Sequence, residues 1–203
     1  MRGGSSQSLR CEGFAQTLIV GEVSEDLLGT GYGSVEKIPW PQYFPNSDRL
    51  PVAELLALGQ KTRREAGAIL VLTNCDLAIP ECESLLGFAD RREGIAVVSL
   101  FRLHEPSDSN RLKTRLQNEI AHELGHLQGY QHCKNSACVM HAIQSPSNID
   151  TRPDRPCGRC PTTRSLTARI MGSLIVCVFF ALLFVGLDLT APLFGPAFDA
   201  PFT

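Results

Sequence analysis

Apolar residues are spaced unevenly along the chain, and the spacing predicts the order of its elements. The run TLIVGEV (17–23) is short and rich in β-branched residues, which predicts a strand. GTGYGS (29–34) is one residue short of a GxGxxG fingerprint and reads as a flexible turn. IPWPQYFP (38–45) holds three prolines and forms a connection. Pro51 suits the first turn of a helix, and Val52, Leu55 and Leu56 open an apolar face at i, i+3, i+4. Gly59 takes the next position of that face, so the helix is expected to be short. AILVL (68–72) is continuous rather than alternating, as in a strand covered on both faces. GIAVVSLFRL (94–103) is a second strand of this kind, and residues 73–93 between the two read as a loop region. The clearest helix spans 110–128. Leu112, Leu116, Ile120, Leu124 and Leu127 mark one face, and Gly129 is its stop. Strand, helix, strand, strand, helix in that order predicts a sheet with helices packed on it.

The longest apolar run comes last. IMGSLIVCVFFALLFVGL (170–187) carries no charge over 18 positions. At 1.5 Å per residue it makes about 27 Å of helix, close to the roughly 30 Å thickness of a hydrocarbon core. It is expected to span a membrane, with a buried core helix as the competing reading. Arg152, Arg155, Arg159, Arg164 and Arg169 precede it and no lysine or arginine follows. The positive-inside rule then puts the N-terminal domain in the cytoplasm, as a single-pass membrane protein. The expected organisation is a flexible leader (1–16), a folded domain (17–165), a transmembrane helix with its flanks (166–189) and a short tail (190–203).

Composition changes this picture little: 43% of the 203 residues are hydrophobic and 20% charged. A formal net charge of −2 without a basic stripe argues against nucleic acid as a partner. The first twenty residues contain no apolar run long enough for a secretory signal. The eight cysteines are therefore expected in a reducing compartment, where close pairs bind metal more often than they form disulfides.

The chemistry concentrates in HELGHLQGYQHC (122–133). His122 and His126 are four apart, so a helix puts both imidazoles on one face, where they can share an ion. Gly129 lets the chain leave the helix, and His132 can approach the same ion from outside. Three neutral imidazoles leave the fourth position of a tetrahedral zinc for water. Glu123 can reach toward that water, take its proton and later hand it to a leaving amine. These are the parts of a peptide hydrolase. Solvated histidines on a surface helix are the bland alternative. Cys133 and Cys138, with the CxxC pair Cys157 and Cys160, have the form of a closed four-thiolate zinc site, although two disulfides fit the same spacing.

The run from His122 to Cys160 resembles the archaemetzincin family of zinc metallopeptidases, through HELGHLQGYQHCKNSACVM and the later CGRC. Weaker similarity extends upstream over LTNCDLAIP, GIAVVSLFRL and NEIAHELGH, so that it covers roughly 17–160. The resemblance implies an α+β fold of metzincin type, with a mixed β-sheet, packed helices and a cleft across it. It implies two zinc ions. His122, His126 and His132 would hold the catalytic one, with Glu123 as general base and acid. Cys133, Cys138, Cys157 and Cys160 would hold the structural one. Met140 would be the methionine whose turn lies beneath the catalytic metal; without the resemblance it reads as an ordinary core residue. GIAVVSLFRL would include the edge strand that receives a peptide substrate by strand pairing. The alternatives are a zinc-binding interaction module with weak or no turnover, against which an intact Glu123 argues, and a zinc ribbon in which only the cysteines matter.

Five other residues are weighed. His104 reads as a solvated loop residue, and His141 as exposed rather than as a lining of the cleft. Cys75 and Cys82 lack the partners a third metal site would need. Glu119, one turn before His122, either supports a ligand from behind or pairs with a surface cation.

Overall fold

The computed structural model describes residues 13–28, 31–39, 49–80, 82, 84–104, 108–143 and 146–163. Among them no helix is long and apolar enough to cross a membrane. The segment expected to span one, 170–187, lies outside the described residues, as do the tail and residues 1–12 of the leader.

Among the described residues seven strands and two α-helices follow in the order β1 (Phe14–Val20), β2 (Ser34–Ile38), β3 (Arg49–Pro51), α1 (Val52–Thr62), β4 (Ala68–Thr73), β5 (Asp76–Ala78), β6 (Gly87–Asp90), β7 (Ile95–Ser99) and α2 (Ser109–Leu127). Five strands form one mixed sheet in the order β2-β1-β4-β7-β6. Neighbours from β2 to β7 are parallel, and β6 runs antiparallel to β7. β3 and β5 pair separately.

The continuous apolar character of the inner strands follows from helices on both faces. In β4, Leu70 and Leu72 pack in one cluster with Leu116, Ile120 and Leu124 of α2. Ile69 and Val71, alternating with them, pack in the other with Leu55 and Leu58 of α1. The side chains of all four strand residues are fully buried. At about 1.5–3 kcal/mol for each large apolar side chain removed from water, this sandwich is the main stabilising feature and the rigid base of the site.

Several expectations are corrected here. α1 continues past Gly59 to Thr62. The glycine is needed for close approach, since a Cβ there would lie 3.1 Å from Ile95 Cδ1 of β7. Residues 73–93 are not merely loop, because they contain β5 and β6. Their short strands give too little alternation to be read as such. β7, taken from GIAVVSLFRL, is not the edge strand: it lies between β4 and β6, and β6 is the edge. β1 begins at Phe14, inside the segment assigned to the leader, because Phe14 belongs to the core cluster on the α2 face.

Asp76 of β5 ties the small sheet to the turn after β7. Its carboxylate accepts from Arg102 Nε at 2.7 Å and Nη2 at 2.8 Å, and Arg49 Nε lies 3.2 Å away. The Arg102 hydrogen bonds, more than the two guanidinium charges, hold the Asp76 carboxyl below its usual value of 3.8, against the opposing effect of burial. A carboxyl lowered by folding contributes stability that is present above its unfolded pKa and lost as pH falls through the folded one. Asp76→Asn is expected to cost about 1–2 kcal/mol of unfolding free energy at pH 7. The gap should narrow as pH falls below 3.8. Urea unfolding at neutral and acid pH measures both.

Candidate metal centre and cleft

α2 starts where Asp108 accepts the backbone N–H of Arg111 at 3.0 Å, a side-chain N-cap. It ends at Leu127, and Gly129 turns the chain away with φ of 94°. His122 and His126 sit in its last two turns. The Nδ1 of His122 lies 2.7 Å from the Val139 carbonyl, and that of His126 lies 2.9 Å from the Tyr130 carbonyl. A carbonyl can only accept, so each Nδ1 carries its proton and each Nε2 presents a lone pair. Those two Nε2 atoms are 3.1 Å apart. Burial is the main cause that lowers both rings to a pKa of about 4, so both are neutral near pH 7.

His132 completes the cluster, its ring centroid 5.4 Å from that of His122 and 4.8 Å from that of His126. Its segment is held on both sides. Gln131 N–H donates to the Pro161 carbonyl at 2.9 Å, and Cys133 N–H donates to the Met140 carbonyl at 2.8 Å. One ligand atom from each of the three histidines lies within 4.8 Å of the others. Facing lone pairs repel unless a cation lies between them. A tetrahedral zinc with bonds of about 2.0–2.1 Å would need donors roughly 3.3 Å apart, close to what His122 and His126 present. The donor set therefore fits zinc.

Glu123 is buried beside this cluster. It lies against Gly87 of β6, where a Cβ would come 2.6 Å from Glu123 Oε1. No side chain fits there unless the carboxylate moves. Burial first, and the Glu119 carboxylate second, push the Glu123 carboxyl well above its usual range, with Arg152 opposing. A raised carboxyl suits a group that must both take up and release a proton.

Cys133, Cys138, Cys157 and Cys160 form a second cluster. Sulfur separations are 3.7 Å for Cys133 to Cys157, 3.3 Å for Cys138 to Cys160 and 3.7 Å for Cys157 to Cys160. All four are free thiols, and a four-sulfur zinc tetrahedron has edges of about 3.8 Å. The Arg159 backbone N–H leads the causes that lower the Cys157 thiol to about 6, while burial pushes Cys160 up. Met140 is fully buried next to Cys138 and Val139, in the same turn whose carbonyl anchors His122.

The cleft between β6 and α2 has a volume of about 680 Å³. All three histidines, Glu119 and Glu123 line it, together with residues 84–89 of β6 and the strand's approach. His141 does not; its Nδ1 lies 2.9 Å from the Cys133 carbonyl, to which it donates. His104 lines a separate cavity beside Phe101, and Cys75 and Cys82 join neither cluster.

In sequence Arg152 reads as one of the charges flanking a membrane segment. Its side chain is instead fully buried and pairs with Glu119 Oε2 at 3.2 Å. Nη1 donates to the His141 carbonyl at 3.1 Å and Nη2 to the Asn118 carbonyl at 3.4 Å. Glu119 thus supports the site from behind through an internal cation, not a surface one. Sequence reasoning also missed Gly87. Sequence offered no signal for Arg152, because Arg115 stands one helix turn before Glu119 and only the structure shows that it pairs with Asp150 instead. For Gly87 there was none.

The chain matches the family model described as Peptidase family M54 over residues 62–166. It belongs to that family. It is 38% identical to the archaemetzincin of Pyrococcus horikoshii over 100 residues, 47% of this chain and 53% of that one. With the archaemetzincin of Methanocaldococcus jannaschii it shares 30% over 156 residues, 70% of this chain and 87% of that one. The chain spans about half the length of the Pyrococcus relatives it matches. The crystal structure of the Methanopyrus kandleri archaemetzincin superposes with a TM-score of 0.62 at 25% identity, covering 74% of this chain and 92% of that one.

Breaking a buried ion pair from one side leaves an uncompensated charge and costs about 3–5 kcal/mol. Arg152→Met is expected to lose that much unfolding free energy, and Arg152→Met with Glu119→Gln clearly less. Denaturant titration of the single and double variants measures the difference.

Proposed function

We propose that the chain is a zinc-dependent metallopeptidase that hydrolyses peptide bonds. The observation that carries this reading is the convergence of three imidazoles and a buried glutamate in one cleft, beside β6, the last strand of the sheet among the described residues. His122, His126 and His132 hold the catalytic zinc. When bound, zinc supplies a Lewis acid that polarises the scissile carbonyl and acidifies a water. Glu123 would take a proton from the water whose oxygen adds to the scissile carbonyl carbon, and deliver it to the amine nitrogen as the C–N bond breaks. The outer edge of β6 receives the substrate backbone as an added strand, which holds the scissile bond in register with Glu123. Gly87 keeps the space that Glu123 occupies. Cys133, Cys138, Cys157 and Cys160 hold a second, structural zinc, and Met140 underlies His122 from its turn.

A membrane anchor at 170–187 is proposed on sequence alone. The burial of Arg152 removes one charge from its basic flank. The full chain is expected in the membrane pellet after alkaline extraction, and a chain ending at 165 in the supernatant. Extraction of the full chain into the supernatant would refute the anchor.

Glu123→Ala is expected to lower kcat on a peptide library by about 100- to 10,000-fold while zinc content stays at two ions per chain. Elemental analysis beside the digestion separates the two effects. Hydrolysis that survives the substitution would sink the mechanism.

A further inference from the structure

Arg91 follows the last residue of β6 and lines the same cleft as Glu123 and the three histidines. Its guanidinium packs over Gly129, where a Cβ would lie 3.2 Å from Cζ and 3.3 Å from Nη2. Gly129 is bare because the turn out of α2 needs its positive φ, and the guanidinium occupies the space this leaves. Nη1 donates to the Thr163 hydroxyl. Both contacts position the cation, and neither neutralises it. The neighbouring carboxylate, Asp90, accepts instead the backbone N–H groups of Arg92 at 2.8 Å and Glu93 at 3.1 Å. Among the described residues no carboxylate forms an ion pair with Arg91. Of the acidic groups that line the cleft, Glu119 and Glu123 are buried in its floor, and Glu119 already faces Arg152.

β6 sets the scale of this arrangement. Gly87 touches Glu123, and Arg91 stands four positions further on. At about 3.3 Å per residue the two are roughly 13 Å apart along the strand. An extended peptide paired to this edge, with its scissile bond at Glu123, passes Arg91 about three to four residues away. A guanidinium presents a fork that matches a carboxylate through two parallel hydrogen bonds.

Resting on the peptidase reading, we infer that Arg91 determines specificity by selecting peptides that carry a carboxylate about three to four residues from the scissile bond. The carboxylate is an acidic side chain or the chain terminus, since both offer the same two oxygens.

The test uses the zinc-loaded full chain bearing Glu123→Gln, so that peptides bind without turnover. Fluorescence anisotropy compares labelled peptides that scan Asp, Ala or Lys through each position, with free or amidated C-termini. Peptides with a matched Asp are expected to bind about five- to tenfold tighter than their Ala counterparts. Adding Arg91→Ala should abolish the preference, and Arg91→Glu should reverse it toward Lys. Arg91 is exposed, so neither change disturbs the core. Loss of the preference on amidation assigns the terminus, and its retention assigns a side chain. Equal binding of Asp and Ala peptides, no binding of any peptide, or a preference that survives Arg91→Glu overturns the inference. Hydrolysis of the same peptides by the unsubstituted chain is scored separately. Charge selection without hydrolysis counts against the peptidase reading and not against Arg91. Hydrolysis without selection counts against Arg91 alone.

Discussion

Two imidazole nitrogens face each other across 3.1 Å with their lone pairs converging, and the described segments that follow α2 are arranged around that contact. It is repulsive in itself. It holds because each ring is fixed from behind by a backbone carbonyl, Val139 for His122 and Tyr130 for His126. Those carbonyls belong to segments outside the helix, so each segment needs its own anchor. The turn containing Val139 leads into residues 146–152, which α2 grips through a series of polar contacts. Arg115 donates to Asp150 at 2.6 and 2.8 Å, and Asn118 donates to the carbonyls of Ile149 and Arg152. Arg152 then returns to Glu119. One face of α2 carries the core, and its continuation carries the clustered histidines and the residues that secure the loop behind them.

His132 and Cys133 show how closely the two clusters are joined. They are adjacent, yet one lies with the imidazoles and the other with the sulfurs. Extended backbone sends successive side chains to opposite sides, so a short bridged segment is enough to separate them. Tyr130 bridges to Thr162 and Cys133 to His141, which places the segment between the stretch after Cys160 and the stretch after Met140. The four sulfurs gather these same stretches. The cysteine cluster is in this sense part of what presents the third histidine.

Much of this was legible in sequence. The helix at 110–128, the strand at 68–72 and the clustering of His122, His126 and His132 each rest on a local period or spacing. A glycine at the helix end supplied the turn. β5 and β6 were not legible, because three or four residues contain too little of a period-2 pattern to stand out. The order of strands was misjudged at one place for a related reason. The resemblance points to a strongly apolar strand as the edge that receives substrate, whereas its apolar character marks it as interior, and the weaker β6 is the edge. Gly59 suggests a short helix in sequence because its low propensity is visible there and its contact with Ile95 is not.

The sequence by itself determined the side-chain types of the cluster and their spacing, since the 3.6-residue period of a helix and a single glycine turn suffice to bring His122, Glu123, His126 and His132 together. It also determined that thiols would gather near them. Only the tertiary structure decided which strand borders the cleft, that Arg152 lies inside rather than beside a membrane segment, and that Gly87 makes room for Glu123. The last two depend on contacts between positions more than 30 residues apart, whose pairing is set by packing of the whole domain and leaves no local period to read.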